Sequence, residues 1–437
     1  MFETWRNAFK QPELRKKILY TLLILLIFRI GSFITVPFLD PGALQEMFNK
    51  GVGTGDFLGY LNIMTGGALS QATVFAMSIT PYINASIIIQ LLTVAIPALE
   101  RLQKEGSEGH KKIQKITRYV TLGLALLQAT AFYFLLRNSE YKILEYRRGF
   151  TGVFAAIVII ACFTAGTALV VWLGDRISEK GLGNGISMIL FAGILSRGPA
   201  AFQMLVGWWQ MGAEQPKYYF YVPAIVIVFI AMITFIVWMT NAERRIPVSY
   251  AKRVVGRKMY GGQNSHIPIK VNMSGVMPII FAMSFMSLPN MIATFLGPNV
   301  KSGGFWDKFF QLFHSDNWFY GLFYFLLIIG FNYFYVAIQY NPIEIANNLR
   351  KNNGAIPGIR PGKPTSDFIS RVISKITLLG ALFLGLIAVF PIIFSMVTGA
   401  NVSLGGTSIL IVVGVALETM RQLESQMMMR HHKGFLE

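Results

Sequence analysis

The stretch G-D-R-I-S-E-K-G-L-G-N-G-I-S at 174–187 packs four charges and four glycines into fourteen positions. The run before it, 151–173, carries no charged residue. A helix needs about 20 apolar residues to cross the hydrocarbon core of a bilayer, so that run reads as a span and the stretch after it as a surface turn. A second span, 184–205, follows directly. The chain therefore reads as one that threads a membrane repeatedly. A second basic stretch, A-K-R-V-V-G-R-K-M-Y at 251–260, lies between two further apolar runs.

Working outward, clear spans are expected at 18–36, 119–136, 151–173, 219–239, 274–296, 318–338 and 372–396. Weaker ones fall at 72–98, 184–205 and 407–420, where Pro, Gly, Asn or Thr interrupt the run; membrane helices accept these when neighbours cover the backbone. The expected architecture is all-α, with ten transmembrane helices. Composition agrees: 54% of the 437 residues are hydrophobic and 14% charged, with mean hydropathy +0.51. Soluble proteins average about 25% charged residues. The single cysteine, Cys162, excludes a disulfide framework and a cysteine-rich metal site. The apolar run from Ile18 ends without a small-residue cleavage pattern and reads as a retained first span.

The net charge of +18 would suit a nucleic-acid binder, but its placement argues for topology. With a cytoplasmic N-terminus and alternating spans, 29 of the 39 Lys and Arg fall on the cytoplasmic side and nine on the other. That bias obeys the positive-inside rule and puts both termini in the cytoplasm. Arg29 is the one left over, inside the first span. It reads as a snorkelling side chain or one in contact with a carbonyl or a neighbouring helix. The loops 240–272 and 340–375 are long as well as basic. Val248, Tyr250 and Val254 hint at extended structure in the first; the prolines and glycines of 357–362 set an exposed turn that projects Arg360. Such a surface suits anionic lipid, an acidic partner or ribosomal RNA.

Within residues 51–71 the stretch Asp56–Leu69 is mildly apolar and too short to span, with glycines at 55 and at 66–67 near its ends. It reads as an external loop or as a re-entrant segment, which survives at membrane depth only when buried in protein or lining a cavity. In the next span Ile83 and Ile87 share a helix face, and Thr80, Asn84 and Gln90 are polar at bilayer depth. Nucleotide-binding, zinc-protease and serine-hydrolase motifs are all missing. The spans also lack the paired acids or histidines of a proton-coupled carrier, which weakens a small-solute transporter reading. No paired catalytic groups sit at helix ends, as a membrane-embedded enzyme would need.

Several motifs then point one way: I-T-P-Y-I at 79–83, S-I-I-I-Q at 86–90, G-L-G-N-G-I-S at 181–187, K-V-N-M-S-G-V-M-P at 270–278, P-G-I-R-P-G at 357–362 and G-G-T-S at 405–408. Over roughly residues 12–430 the chain resembles the SecY family of protein-conducting channels. The resemblance implies two pseudo-symmetric five-helix halves, 1–205 and 206–420, around an hourglass pore, with a cytoplasmic tail at 421–437. It also implies a bacterial plasma-membrane location, no enzymatic activity and no cofactor. The aliphatic pore ring would comprise Ile83, Ile87, Ile186, Leu190, Val276, Ile280 and Ile411; Leu190 stands where many relatives carry Ile. The plug would be about 57–70, with Phe57, Leu58, Leu61, Ile63 and Met64. Asn84, Gln90 and Asn272 would belong to the lateral gate. Lys252, Arg253, Arg257, Lys258 and Arg360 match positions where the ATPase SecA or the ribosome docks. SecE and SecG would be companion subunits, with signal peptides and unfolded polypeptides as substrates. An apolar constriction gates ions by dewetting, which fits a ring of this kind.

Overall fold

The computed structural model describes residues 6, 8–49, 62, 65–139, 142–146, 149–212, 215–250, 253–255, 258–260, 264–296, 304, 309, 312–313, 318–398 and 406–431. The helices run α1 Pro12–Gly31, α2 Pro41–Asn49, α3 Thr80–Ala95, α4 Pro97–Lys104, α5 Ser107–Asn138, α6 Gly149–Lys180, α7 Gly185–Leu195, α8 Gly198–Met211 and α9 Lys217–Asn241. Strands β1 Glu243–Tyr250, β2 Arg253–Val255, β3 Lys258–Tyr260 and β4 Asn264–Lys270 come next. Then come α10 Met277–Leu296, α11 Trp318–Gln339, α12 Pro342–Lys351, β5 Gly354–Ala355, α13 Lys363–Thr398 and α14 Gly406–His431. Contacts group the chain into two compact units. One holds Met1–Pro223, Ser284–Tyr320 and Ile411–Glu437; the other holds Ala224–Met283 and Gly321–Leu410.

In the first unit, α1 shows how the sequence builds a membrane helix. Pro12 starts it, where a missing N–H costs nothing. Leu14, Ile18, Thr21, Ile24, Phe28 and Gly31 recur every three or four residues and form its buried stripe. The opposite face, with Leu19, Leu22, Leu23, Leu26 and Ile30, is just as apolar but exposed. A helix apolar all round with one face uncovered suits lipid. α1 packs on α6 and α7, α5 on α3 and α6, and α6 on α7. Glycine sets the closest approaches. A Cβ at Gly166 of α6 would collide with the Val74 carbonyl, and one at Gly185 with that of Gly174. An apolar cluster at the end of these helices away from 174–187 joins Leu39, Leu44, Met47, Leu69, Leu136, Ile143 and Phe163.

The second unit carries the only sheets among the described residues. β4, β1 and β5 form an antiparallel sheet in that order, with Ile246 opposite Ile267 and Ser249 opposite Ala355. The Val271 N–H donates to the Ala242 carbonyl at 2.9 Å, which places Pro247 and Pro268 at positions that owe no hydrogen bond to each other's strand. One face of the sheet buries Ile246, Val248 and Ile269 against Leu349, Ile356, Ile369 and Ile373. β2 and β3 make a separate hairpin, Val254 opposite Met259. The extended structure expected in 240–272 is therefore present, while 340–375 is more ordered than a loop: it holds α12, β5 and the start of α13. Asn341 caps α12, accepting from the Ile343 and Glu344 N–H groups at 3.1 and 3.5 Å.

Among the described residues, six helices are long and apolar enough to cross a membrane, and a seventh span arises if the pair Thr80–Ala95 and Pro97–Gln103, bent by 105°, counts as one. Two expected spans differ in detail. The span 72–98 is helical only from Thr80, because 65–79 runs as consecutive turns. In the span 184–205 a turn at Ser196–Arg197 separates α7 from α8, but both residues keep helical backbone and Gly185–Met211 counts as one of the six spanning stretches. α1 and α14 mix charged and apolar turns, and α10 offers one short apolar stretch, Met277–Met286.

Candidate functional site

The 174–187 stretch is the end of α6, a tight turn and the start of α7. The Leu182 N–H donates to Thr21 Oγ1 at 3.0 Å, and the Thr21 hydroxyl donates to the Lys17 carbonyl at 2.9 Å. The Gly185 N–H donates to Ser178 Oγ at 2.9 Å. Asn184 caps α7, its Oδ1 accepting from Ile186 and Ser187 N–H at 3.1 and 3.4 Å. Gly183 takes a φ of 81°, which glycine adopts without strain. Leu182 is buried with Leu14, Ile18 and Leu423, and Thr419 Oγ1 donates to Met188 Sδ at 3.5 Å. Lys17 Nζ also donates to Gln426 Oε1 at 3.2 Å. The tail expected from Arg421 onward is thus a continuation of α14, docked on α1 as far as it is described. Asp175 pairs with Arg118 of α5 at 2.7 Å, and Arg176 lies 5.4 Å from the Trp172 ring centre.

This turn launches two of the expected pore residues. Ile186 leans on Gly174, where a Cβ would lie 3.2 Å from its Cγ1, and Leu190 is buried one turn on. Ile83 and Ile87 are both buried on α3, and Ile411 is buried on α14. In the second unit Ile280 is buried in the first turn of α10, and the Ile280 N–H donates to the Val276 carbonyl at 3.3 Å. The four-residue spacings expected of these pairs are therefore helical spacings, within each unit.

Asn84 is half-buried on α3. Gln90 Oε1 and Asn272 Oδ1 are buried and find no hydrogen-bond partner among the described residues. An orphaned buried acceptor costs about 1–3 kcal/mol. A polar network that sequence reasoning missed sits beside Asn272. Ser274 Oγ donates to Asn332 Oδ1, and Asn332 Nδ2 donates to the Thr377 carbonyl at 2.9 Å. An asparagine inside the apolar run 318–338 was the available signal.

Of the expected plug residues, Phe57, Leu58, Leu61, Ile63 and Met64 lie outside the described residues; Asn62 and the turn 65–70 are described. Of the basic positions, Lys252 and Arg257 also lie outside them, Arg253 begins β2 and Lys258 begins β3. Arg360 is exposed between Gly358 (φ 81°) and Gly362 (φ 105°), its carbonyl accepting from Thr365 Oγ1 at 2.8 Å.

Apolar helices of spanning length, a basic sheet-bearing platform and a glycine-welded helical turn define a multi-pass membrane protein. Its fold is that of the protein-conducting channels. It superposes on a structure described as a protein conducting channel with TM-score 0.65, at 18% identity, covering 94% of this chain and 92% of that one. Against Sec61 in the canine ribosome–channel complex from the endoplasmic reticulum the TM-score is 0.61, at 17% identity and the same coverage. A sequence model of the SecY family matches residues 73–420. The Streptomyces galbus protein described as protein translocase subunit SecY is 42% identical over 455 residues, with both chains covered in full. Its namesake in Mycobacterium tuberculosis strain H37Rv is 41% identical over 453 residues, again with full coverage. The chain belongs to the SecY family.

Proposed function

We propose that this chain is the channel-forming subunit of a protein translocase, passing unfolded secretory chains across the bacterial plasma membrane and releasing membrane segments sideways into lipid. The observation that carries this reading is the end-to-end identity of 42% to a relative described as a translocase subunit. Ten spans in two pseudo-symmetric halves, 1–205 and 206–420, would enclose the pore, with both termini cytoplasmic. Ile83, Ile87, Ile186, Leu190, Val276, Ile280 and Ile411 form its aliphatic waist. Such side chains hold no stable water column and yield to any passing sequence without binding it.

The plug around 57–70 seats under the waist in the idle state. Asn84, Gln90 and Asn272 hold the lateral gate shut until a signal sequence competes. Lys252, Arg253, Arg257, Lys258 and Arg360 receive SecA or the ribosome, while anionic lipid meets the remaining basic surface. SecE braces the halves and SecG sits at the periphery. The motor supplies the energy; the chain itself makes and breaks no covalent bond. Docking and signal binding each favour the open state, and their differential affinities shift the equilibrium.

The test is reconstitution of the chain with its companion subunits in proteoliposomes, with SecA and ATP added. ATP-dependent, protease-protected uptake of a signal-bearing precursor is expected. Uptake of small solutes without uptake of precursor would overturn the reading.

A further inference from the structure

Between Ile18 and Val36 the sequence holds one charged residue, Arg29. Charges inside a span are costly and mark contacts that matter. In the structure Arg29 points at the turn that carries the C-terminal end of the plug. Its guanidinium carbon lies 5.1 Å from the Phe33 ring centre, a cation–π stack that fixes the side chain. Its Nη1 lies 3.3 Å from where a Cβ on Gly66 would stand. That same point is 2.6 Å from Ser196 Oγ and 2.7 Å from the Gly193 carbonyl. Gly66, Arg29 and the α7–α8 corner therefore meet with no room for one more carbon.

The turn is rigid in itself. The Gly67 N–H donates to the Asn62 carbonyl at 2.8 Å, and the Ser70 N–H to Asn62 Oδ1 at 3.1 Å. Thr65 Oγ1 donates to the Asn62 carbonyl at 3.2 Å and accepts from the Leu69 N–H at 3.3 Å. Gly66 and Gly67 take φ of 66° and 90°. The exit of α1 grips the segment on the far side of this turn: the Val36 N–H donates to the Ala72 carbonyl at 2.8 Å, and the Val74 N–H to the Ile34 carbonyl at 2.9 Å. Phe28 stacks on Phe75 at 5.7 Å. Among the described residues no carboxylate pairs with Arg29. Its planar head stacks on Phe33 and lies beside Gly66 of the turn, a setting that a compact ammonium does not reproduce.

We propose that Arg29 is the positioning residue of the channel's seal. It holds the Thr65–Ser70 turn against α1 and the α7–α8 corner, so that the plug is carried on a fixed joint. The glycines at 66 and 67 serve close approach and turn geometry, not swivelling. The proposal rests on the reading of 57–70 as a plug.

Two measurements on the assembled complex test it. Hydrogen exchange of amides 66–74 reads the joint directly. Arg29→Gln should speed it by about tenfold, the loss of the cation–π contact that holds the side chain beside Gly66, with Arg29→Lys falling between. Idle ion leak in planar bilayers reads the seal. Deleting 57–64 tests the plug itself. If that deletion leaks, Arg29→Gln and Gly66→Ala should leak several-fold more than the unmodified channel while precursor transport continues. If the deletion leaks and neither substitution does, the positioning role is wrong and the plug reading stands. If the deletion does not leak, the plug reading falls. Unchanged exchange at 66–74 in both variants overturns the clamp whatever the leak shows. Should Arg29→Gln fail to assemble, Gly66→Ala, which leaves the charge in place, carries both measurements.

Discussion

Two glycine-rich stretches near basic surface look alike in sequence and behave oppositely in the fold. G-L-G-N-G at 181–185 is welded: its glycines let α6 and α7 touch, Leu182 is buried, and Thr21 of α1 satisfies its backbone. P-G-I-R-P-G at 357–362 is displayed: Gly358 and Gly362 have open space where a Cβ would stand, and Arg360 is exposed. In the first, Gly181 and Gly185 are there because a Cβ would strike neighbouring atoms, and Gly183 for its φ of 81°. In the second, glycine is there for its backbone angles alone. The difference separates glycines that let helices pack from glycines that shape an exposed turn.

Substitutions should rank along that divide. Gly185→Val places its Cβ against the Gly174 carbonyl and 2.8 Å from Ile177 Cβ, and should cost the most, about 3 kcal/mol. Thermal unfolding of the purified chain reads this; a loss under 1 kcal/mol would mean that the α6–α7 contact can relax. Thr21→Val leaves the buried Leu182 N–H without its acceptor and should cost about 1–3 kcal/mol, with Thr21→Ser largely restoring it. Equal losses for the valine and serine variants would show that packing, not the hydrogen bond, sets this site. Gly358→Ala meets no atom but must hold a φ of 81°, a penalty of about 1–2 kcal/mol confined to the loop. Arg360→Glu should move the melting temperature least, within about 0.5 kcal/mol for an exposed side chain. On SecA-driven export the order inverts: Arg360→Glu should reduce it several-fold, and unchanged export would remove this ledge from the docking surface.

Much of the architecture is legible in the amino-acid sequence. The long apolar runs give α5, α6, α9, α11 and α13 because a bilayer leaves few alternatives to a helix of about 20 residues. Ile83 with Ile87, and Ile186 with Leu190, pair from spacing alone, since helical periodicity is local. The features that stay hidden depend on contacts between distant segments. Nothing local announces that 65–79 runs as turns before α3 begins, because its support comes from the α1 exit at Ile34 and Val36. The bond from Ser274 to Asn332 spans 58 positions, and the docking of Gln426 on Lys17 spans 409. Arg29 is legible as an oddity; its neighbour Gly66 is not.

The central claim is that a polypeptide passes between the aliphatic residues of the waist. With Cys162 replaced by Ser, a single cysteine at Ile87 and a stalled secretory chain carrying one mid-length cysteine should form a disulfide that depends on SecA or the ribosome. Failure at Ile87 and at matched positions Ile280 and Ile411, with the precursor still engaged at the membrane, would contradict the pore and point to another path through the molecule.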